Sequence, residues 1–255
     1  MRKMLLIAIL TTMTPFCAFA VDGVVLINQS TVMAAGGFPY IITQPGSYKL
    51  SGNLIVASAA KDGIDINSDN VTLDLNGFTM TGPGTGGPGN GIASANQNIT
   101  LRNGVVTGFR EGVFLTGTAT ITDLQASGNG EGILAIPNSQ PAFSGLNSGF
   151  IITRCAANGN AGDGFRLSNA TVSDSIANAN QFGGFVVARS TLIHNVANKN
   201  VLGGISSANF GPANPANGGS LFGSNTMLDN GANADLDLGT SGHSQGNNLC
   251  TAGAC

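Results

Sequence analysis

A glycine followed by an apolar residue recurs along the chain as GIDI at 63, GIAS at 91, GVFL at 112, GILA at 132, GFRL at 164, GFVV at 184 and GISS at 204. The intervals are 28, 21, 20, 32, 20 and 20 residues. The excess in the two long intervals falls in loop-like stretches, TGPGTGGPGN at 81–90 and PNSQPAFSGLNS at 137–148, and a third, SANFGPANPANGG, runs from 207 to 219. A period of about 20 residues holds only a few short elements, so each unit must bury its apolar face against its neighbours. Leucine-rich repeats share this period, but they need several Leu and an Asn at fixed offsets within one strand, and this chain lacks that pattern.

Each unit carries a second apolar stretch: VTLDL at 71, NITLR at 98, ATITD at 119, FIITR at 150, ATVSD at 170, STLIH at 190 and SLFGS at 220. The turn segments DLQASGN, RCAANGN, DSIANAN, HNVANKN and SNTMLDN follow. Each of these ends in Asn (Asn129, Asn160, Asn180, Asn200, Asn230), and the fourth residue is Ala126, Ala157, Ala177, Ala197 and then Met227. Short strands, a small interior residue and Asn at one turn predict coils whose strands pair with their equivalents in the next coil, about 4.8 Å away. Ile64, Ile92, Val113, Ile133, Phe165, Phe185 and Ile205 then form an apolar spine. Stacked Asn side chains at a bend, where left-handed backbone is tolerated, form a ladder of amide bonds.

The segments GSYKLSGNL at 46 and GIDINSDNVTLDLNGFTMTG at 63, with the later units, resemble the right-handed parallel β-helix superfamily, whose best-known members are pectate lyases. The nearest branch is the right-handed β-helix region group of exported bacterial proteins. The resemblance spans roughly residues 46–239 and implies an all-β, single-domain right-handed parallel β-helix of about seven to eight coils with an N-terminal cap. Residues 1–20 read as a signal peptide, 21–48 as the cap segment, 49–239 as the helical repeats and 240–255 as a C-terminal tail.

The chain begins Met1-Arg2-Lys3, continues in an apolar run to Phe16 and reaches Ala18-Phe19-Ala20, the small-x-small form of a signal-peptidase site. The run is too short to span a bilayer, and no later stretch reaches the roughly 20 apolar residues required. The expected location is therefore secreted or periplasmic. Cys250 and Cys255 in CTAGAC can close a small disulfide loop in an oxidising compartment, which leaves Cys155 as a buried thiol. A formal net charge of −3, with only 9% charged residues, provides no basic patch for nucleic acid.

Candidate chemistry is sparse. The residue two after each Gly should point outward: Asp65, Ala93, Phe114, Leu134, Arg166, Val186 and Ser206. The resemblance implies that pectate lyases hold Ca²⁺ with clustered Asp and use an Arg base. Here Asp65 and Arg166 lie four coils apart, roughly 19 Å. The Asn-Thr-Asp, Asp-Asp and Gly-His-Gly signatures of pectin hydrolases are also missing. A glycosidase needs two carboxylates about 5–9.5 Å apart, and Glu111 with Glu131, each just before the repeat glycine, are the candidate pair. Asp235 and Asp237 with His243 read as a metal group or as a polar cap on the last coil, and the cap is the simpler reading. No metal site or cofactor is expected, with Ca²⁺ entering only under a lyase reading.

The residue heading each turn runs Asp123, Arg154, Asp174, His194, Ser224, with Asp74 and Arg102 preceding. Stacked at coil spacing, this alternation predicts a ladder of attractive surface pairs. Sequons at Asn28, Asn70, Asn98 and Asn169 mostly share one turn of the repeat, so turn chemistry explains them. What remains is an outward strip, Phe114, Leu134 and Val186 interrupted by Arg166, fenced by insertions carrying Phe143 and Phe210 or covered by residues 21–48. Exposed apolar strips mark binding or assembly faces. The expectation is a non-catalytic exported β-helix that binds polysaccharide or serves as a surface or periplasmic scaffold. The alternatives are a polysaccharide lyase or glycosidase and a homo-oligomeric assembly module.

Overall fold

A computed structural model of the chain describes residues 23–137, 149–207, 219–231, 235–237, 243–251 and 253–254. Its strands lie in three sheets of twelve, nine and five strands, and each coil contributes to them in turn. One coil shows the plan: Phe165–Ser168 runs in the nine-stranded sheet, Ala170–Ser173 in the twelve-stranded sheet and Ile176–Asn178 in the five-stranded sheet, and Gly183–Ala188 then returns to the nine-stranded sheet. Phe165 pairs in register with Phe185, 20 residues on, so the sequence period is the coil. Pairing is parallel throughout, except where Leu249–Cys250 folds back antiparallel on Gly253–Ala254. The protein is a parallel β-helix.

The nine-stranded sheet counts nine coils among the described residues, against the seven to eight expected. The additional coil comes from the segment assigned to a cap. Val24–Ile27 pairs with Gly46–Leu50, and Tyr40–Ile42 pairs with Ile64–Ile66. These strands extend two sheets, so the segment does not fold over the outer strip. Between them the helix Gln29–Ala34, capped by the Asn28 side chain on the Thr31 amide, places Val32 in the core. Its glycine and apolar pattern was too weak to align with the later units, which is why the sequence placed it outside the repeat.

The predicted spine is fully buried from Ile64 to Ile205. Phe165 and Phe185 stack face to face at 4.6 Å between ring centroids, with planes 4° apart. Behind it runs the small column Ala126, Ala157, Ala177, Ala197 and Met227, also with no exposure. The Asn column lies where these faces meet. Asn160 donates from its backbone and side-chain nitrogens to Asn180 Oδ1 at 3.0 and 2.9 Å, Asn180 does the same to Asn200, and Asn200 to Asn230. Asn129 joins through its backbone N–H to Asn160 Oδ1.

The ladder also explains the repeat glycine. A Cβ on Gly164 would approach Asn180 Nδ2 to 2.7 Å and the Gly184 carbonyl to 2.8 Å, and Gly184 and Gly204 face Asn200 and Asn230 at the same 2.7 Å. Glycine is required here for close approach of backbone to ladder. A second buried column, not read from the sequence, links Ser175, Asn195, Asn225 and Asn248 at another corner. Steps of 30 and 23 residues between its later members, in place of 20, hid its period.

Candidate functional site on the nine-stranded sheet

Strand registers place Ile41, Asp65, Ala93, Phe114, Leu134, Arg166, Val186 and Ser206 in one outward row on the nine-stranded sheet. Phe114, Leu134, Arg166 and Val186 are each partly exposed along it. Phe143 and Phe210 lie outside the described residues. Arg166 divides the apolar strip, and its guanidinium reaches back one coil to Glu131, Nη1 to Oε1 at 3.3 Å.

The residue before each of the first five repeat glycines forms a second row at the edge of this sheet: Asp62, Asn90, Glu111, Glu131 and Asp163. Glu111 and Glu131 are register partners, so the structure does bring the candidate pair together on adjacent strands. Each is turned to an arginine, Glu111 to Arg110 at 2.6 Å and Glu131 to Arg166. Burial is the main influence on both and raises their pKa values, against the pull of those arginines. Glu131 Oε2 is buried without a hydrogen-bond partner. Asp163, also raised by burial, accepts the Gly183 amide at 2.8 Å and so braces the next coil.

At the other end of this row, a shallow groove of about 250 Å³ opens between Asp62, Asp65, Asn67, Ala93, Ser94, Ala95, Phe114 and Thr116. Asp62 stands at the turn and Asp65 on the strand of the same GID unit. Burial first, then the charge of Asp62 and a hydrogen bond with it, lift Asp65 to about 6. Loss of solvent and the neighbouring negative charge both disfavour ionisation of Asp65. Asp62 Oδ1 is fixed by the Asn90 amide at 2.6 Å, while Asp65 Oδ1 and Asn90 Oδ1 are buried without partners. The turn is braced by the 81–90 insertion, where Gly89 donates to the Ala59 carbonyl at 3.0 Å. Sequence reading found Asp65 and Phe114 but missed Asp62, Asn67, Ser94 and Thr116. The spacing of Asp62 and Asp65 around the repeat glycine, D-G-I-D, was the available signal.

The remaining sequence candidates separate. Asp235 ends the Asn ladder, accepting Asn230 Nδ2 at 3.0 Å and the Thr251 amide at 2.6 Å. His243 sits on the twelve-stranded sheet opposite Leu221, so it does not share a face with Asp235. The side chain of Asp237 is outside the described residues, and among those described no three His, Cys, Asp or Glu converge. Cys155 is buried, and burial pushes its thiol up to about 11. Cys250 lies on a buried strand position in the terminal hairpin, whereas Cys255 and the signal peptide expected at 1–20 lie outside the described residues.

The heads of the turns all adopt left-handed backbone, with φ of 54° at Asp123, 53° at Arg154, 53° at Asp174, 57° at His194 and 53° at Ser224. Arg154 meets Asp123 through two 2.8 Å bonds, and His194 lies 3.8 Å from Asp174. Asn103 shares this left-handed turn with φ of 59°, so Arg102 belongs to the strand before it and pairs there with Asp74 at 3.1 Å. Three of the sequon Asn, Asn70, Asn98 and Asn169, are left-handed as well, and Asn28 is the helix cap.

No protein-family model matches the chain, and no curated protein matches it. Among solved structures it is similar to the periplasmic alginate epimerase AlgG, at 15% identity and a TM-score of 0.51 over 87% of this chain. It spans about half of that protein, 53% of its length. A Dettilon tailspike protein aligns over 79% of this chain at 12% identity with a TM-score of 0.43. At this identity the epimerase likeness bears on fold alone.

Proposed function

We propose that the protein is an exported β-helix that binds an extended polysaccharide along the outer row of the nine-stranded sheet, anchored at the Asp62–Asp65 groove. The observation that carries this reading is the groove itself. Hydrogen-bonding carboxyl, amide and hydroxyl groups converge there beside the Phe114 ring, in line with a strip one coil wide. That combination of a polar cluster and an apolar flank suits a sugar, whose hydroxyls lie around its rim and whose ring faces are largely C–H. The fold shared with an alginate epimerase is in keeping with a polysaccharide ligand. Export follows from the leader-like residues 1–20 and fits a protein that meets glycans outside the cytoplasm. A disulfide between Cys250 and Cys255 belongs to the same reading, since the terminal hairpin already turns the chain back beside Cys250.

Binding is favoured over turnover because Glu111 and Glu131 are each engaged by an arginine. The catalytic alternative rests on Asp65. A carboxyl lifted to about 6 beside a second carboxyl is the pattern of general-acid chemistry in mildly acidic solution. Glycan-array binding followed by titration calorimetry tests the first reading. Phe114→Ala should weaken the best ligand at least tenfold, the range expected for removing one aromatic anchor from a binding face. Release of new reducing ends or unsaturated sugars, abolished by Asp65→Asn, would instead establish an enzyme.

A further inference from the structure

Resting on the reading that this face binds polysaccharide, we propose that the groove selects an uncharged glycan and rejects polyuronates. The groove lining contains two carboxyls and no cation. Along the same edge Glu111, Glu131 and Asp163 continue the row, and the guanidiniums near it, Arg110 and Arg166, already meet Glu111 and Glu131. At the groove a carboxylate-bearing chain would face the two Asp carboxyls, and further along the row the guanidiniums of Arg110 and Arg166 are already engaged by Glu111 and Glu131. The hydrogen-bonding bias points the same way. Ser94 donates its hydroxyl proton to the Ile66 carbonyl at 2.8 Å, leaving acceptors to dominate the pocket. Acceptor-rich walls suit ligand hydroxyls, which neutral sugars and uronates both carry, and disfavour the additional acceptor-only carboxylate of a uronate. A divalent cation could bridge acid to acid, but among the described residues no third carboxylate joins Asp62 and Asp65 to cage one.

The test compares polygalacturonate with its fully methyl-esterified form and with neutral glucans and galactans. Binding to the full chain is measured by calorimetry at pH 7 in EDTA, then with Ca²⁺. The proposal expects the ester or a neutral glycan to bind at least about tenfold more tightly than the acid at low salt. That gap should shrink in 0.5 M NaCl and narrow in an Asp62→Asn, Asp65→Asn double variant. Equal or tighter binding of the acid, or acid binding that appears only with Ca²⁺, overturns the selectivity while leaving the glycan reading in place. Failure of every glycan to bind overturns both. The salt dependence of the unmodified protein decides the matter even if the double variant folds poorly.

Discussion

The two ends of the nine-stranded sheet differ in how completely their polar columns are satisfied. From Gly164 to Gly204 the coils keep a 20-residue step, the corner is filled by the Asn ladder, and its members bond both up and down. From Gly63 to Gly112 the steps are 28 and 21 residues. There Asp62, Asn90 and Glu111 edge the sheet, Asp65 is lifted to about 6, and buried oxygens of Asp65 and Asn90 lack donors. Saturated polar columns stabilise and leave nothing for a ligand to satisfy. Unsaturated ones cost folding energy and are where a ligand can bind.

That contrast can be broken at several points. The largest effect should come from the regular half: Phe185→Ala removes one ring of the buried stack and should cost about 3–5 kcal/mol, read from the urea midpoint. Asn180→Ala strands the Asn160 amide and the Ala157 carbonyl inside the corner and should cost about 2 kcal/mol or more, at about 1–3 kcal/mol for each buried group left unpaired. A cost near zero for Asn180→Ala would show that the ladder is not a stabilising device.

The irregular half should respond to pH instead. Asp65 titrates higher in the folded chain than an ordinary carboxyl, so between about pH 4 and pH 6 the folded state binds more protons than the unfolded state. Stability contributed by this group is present below that window and is lost as pH rises through it. Asp65→Asn should remove that part of the slope and raise the melting temperature at pH 7.5 relative to the parent. Unchanged slopes in parent and variant would show that Asp65 is not raised in the folded chain. The smallest effect belongs to the surface ladder. Arg154→Ala should leave the urea midpoint unmoved, because both partners of the Asp123 pair are solvent-exposed.

Much of this architecture was legible because a β-helix writes its register into the chain. A strand that stacks on its own equivalent repeats its inward residue at a fixed interval, so Phe165, Phe185 and Ile205 could be aligned by counting. The first coil was not legible, because Val24–Ile27 and Tyr40–Ile42 are joined through a helix and share no glycine with later units. The column through Asn195 and Asn225 escaped notice because an insertion separates its members. The groove was half visible: Phe114 and Asp65 came from the outward alternation, but Asp62 is a turn residue and looked like ordinary turn chemistry.

By itself the sequence determined the coil, its inward spine, the Asn ladder and the glycine that makes room for it, since each is a local pattern repeated at one period. Only the tertiary structure decided that Glu111 and Glu131 would turn to arginines and that Asp62 and Asp65 would share an environment. Those outcomes depend on which side chains from different coils meet at a corner and how much water remains there. Neither the direction a side chain turns between coils nor the desolvation of a carboxyl is encoded in the spacing of letters.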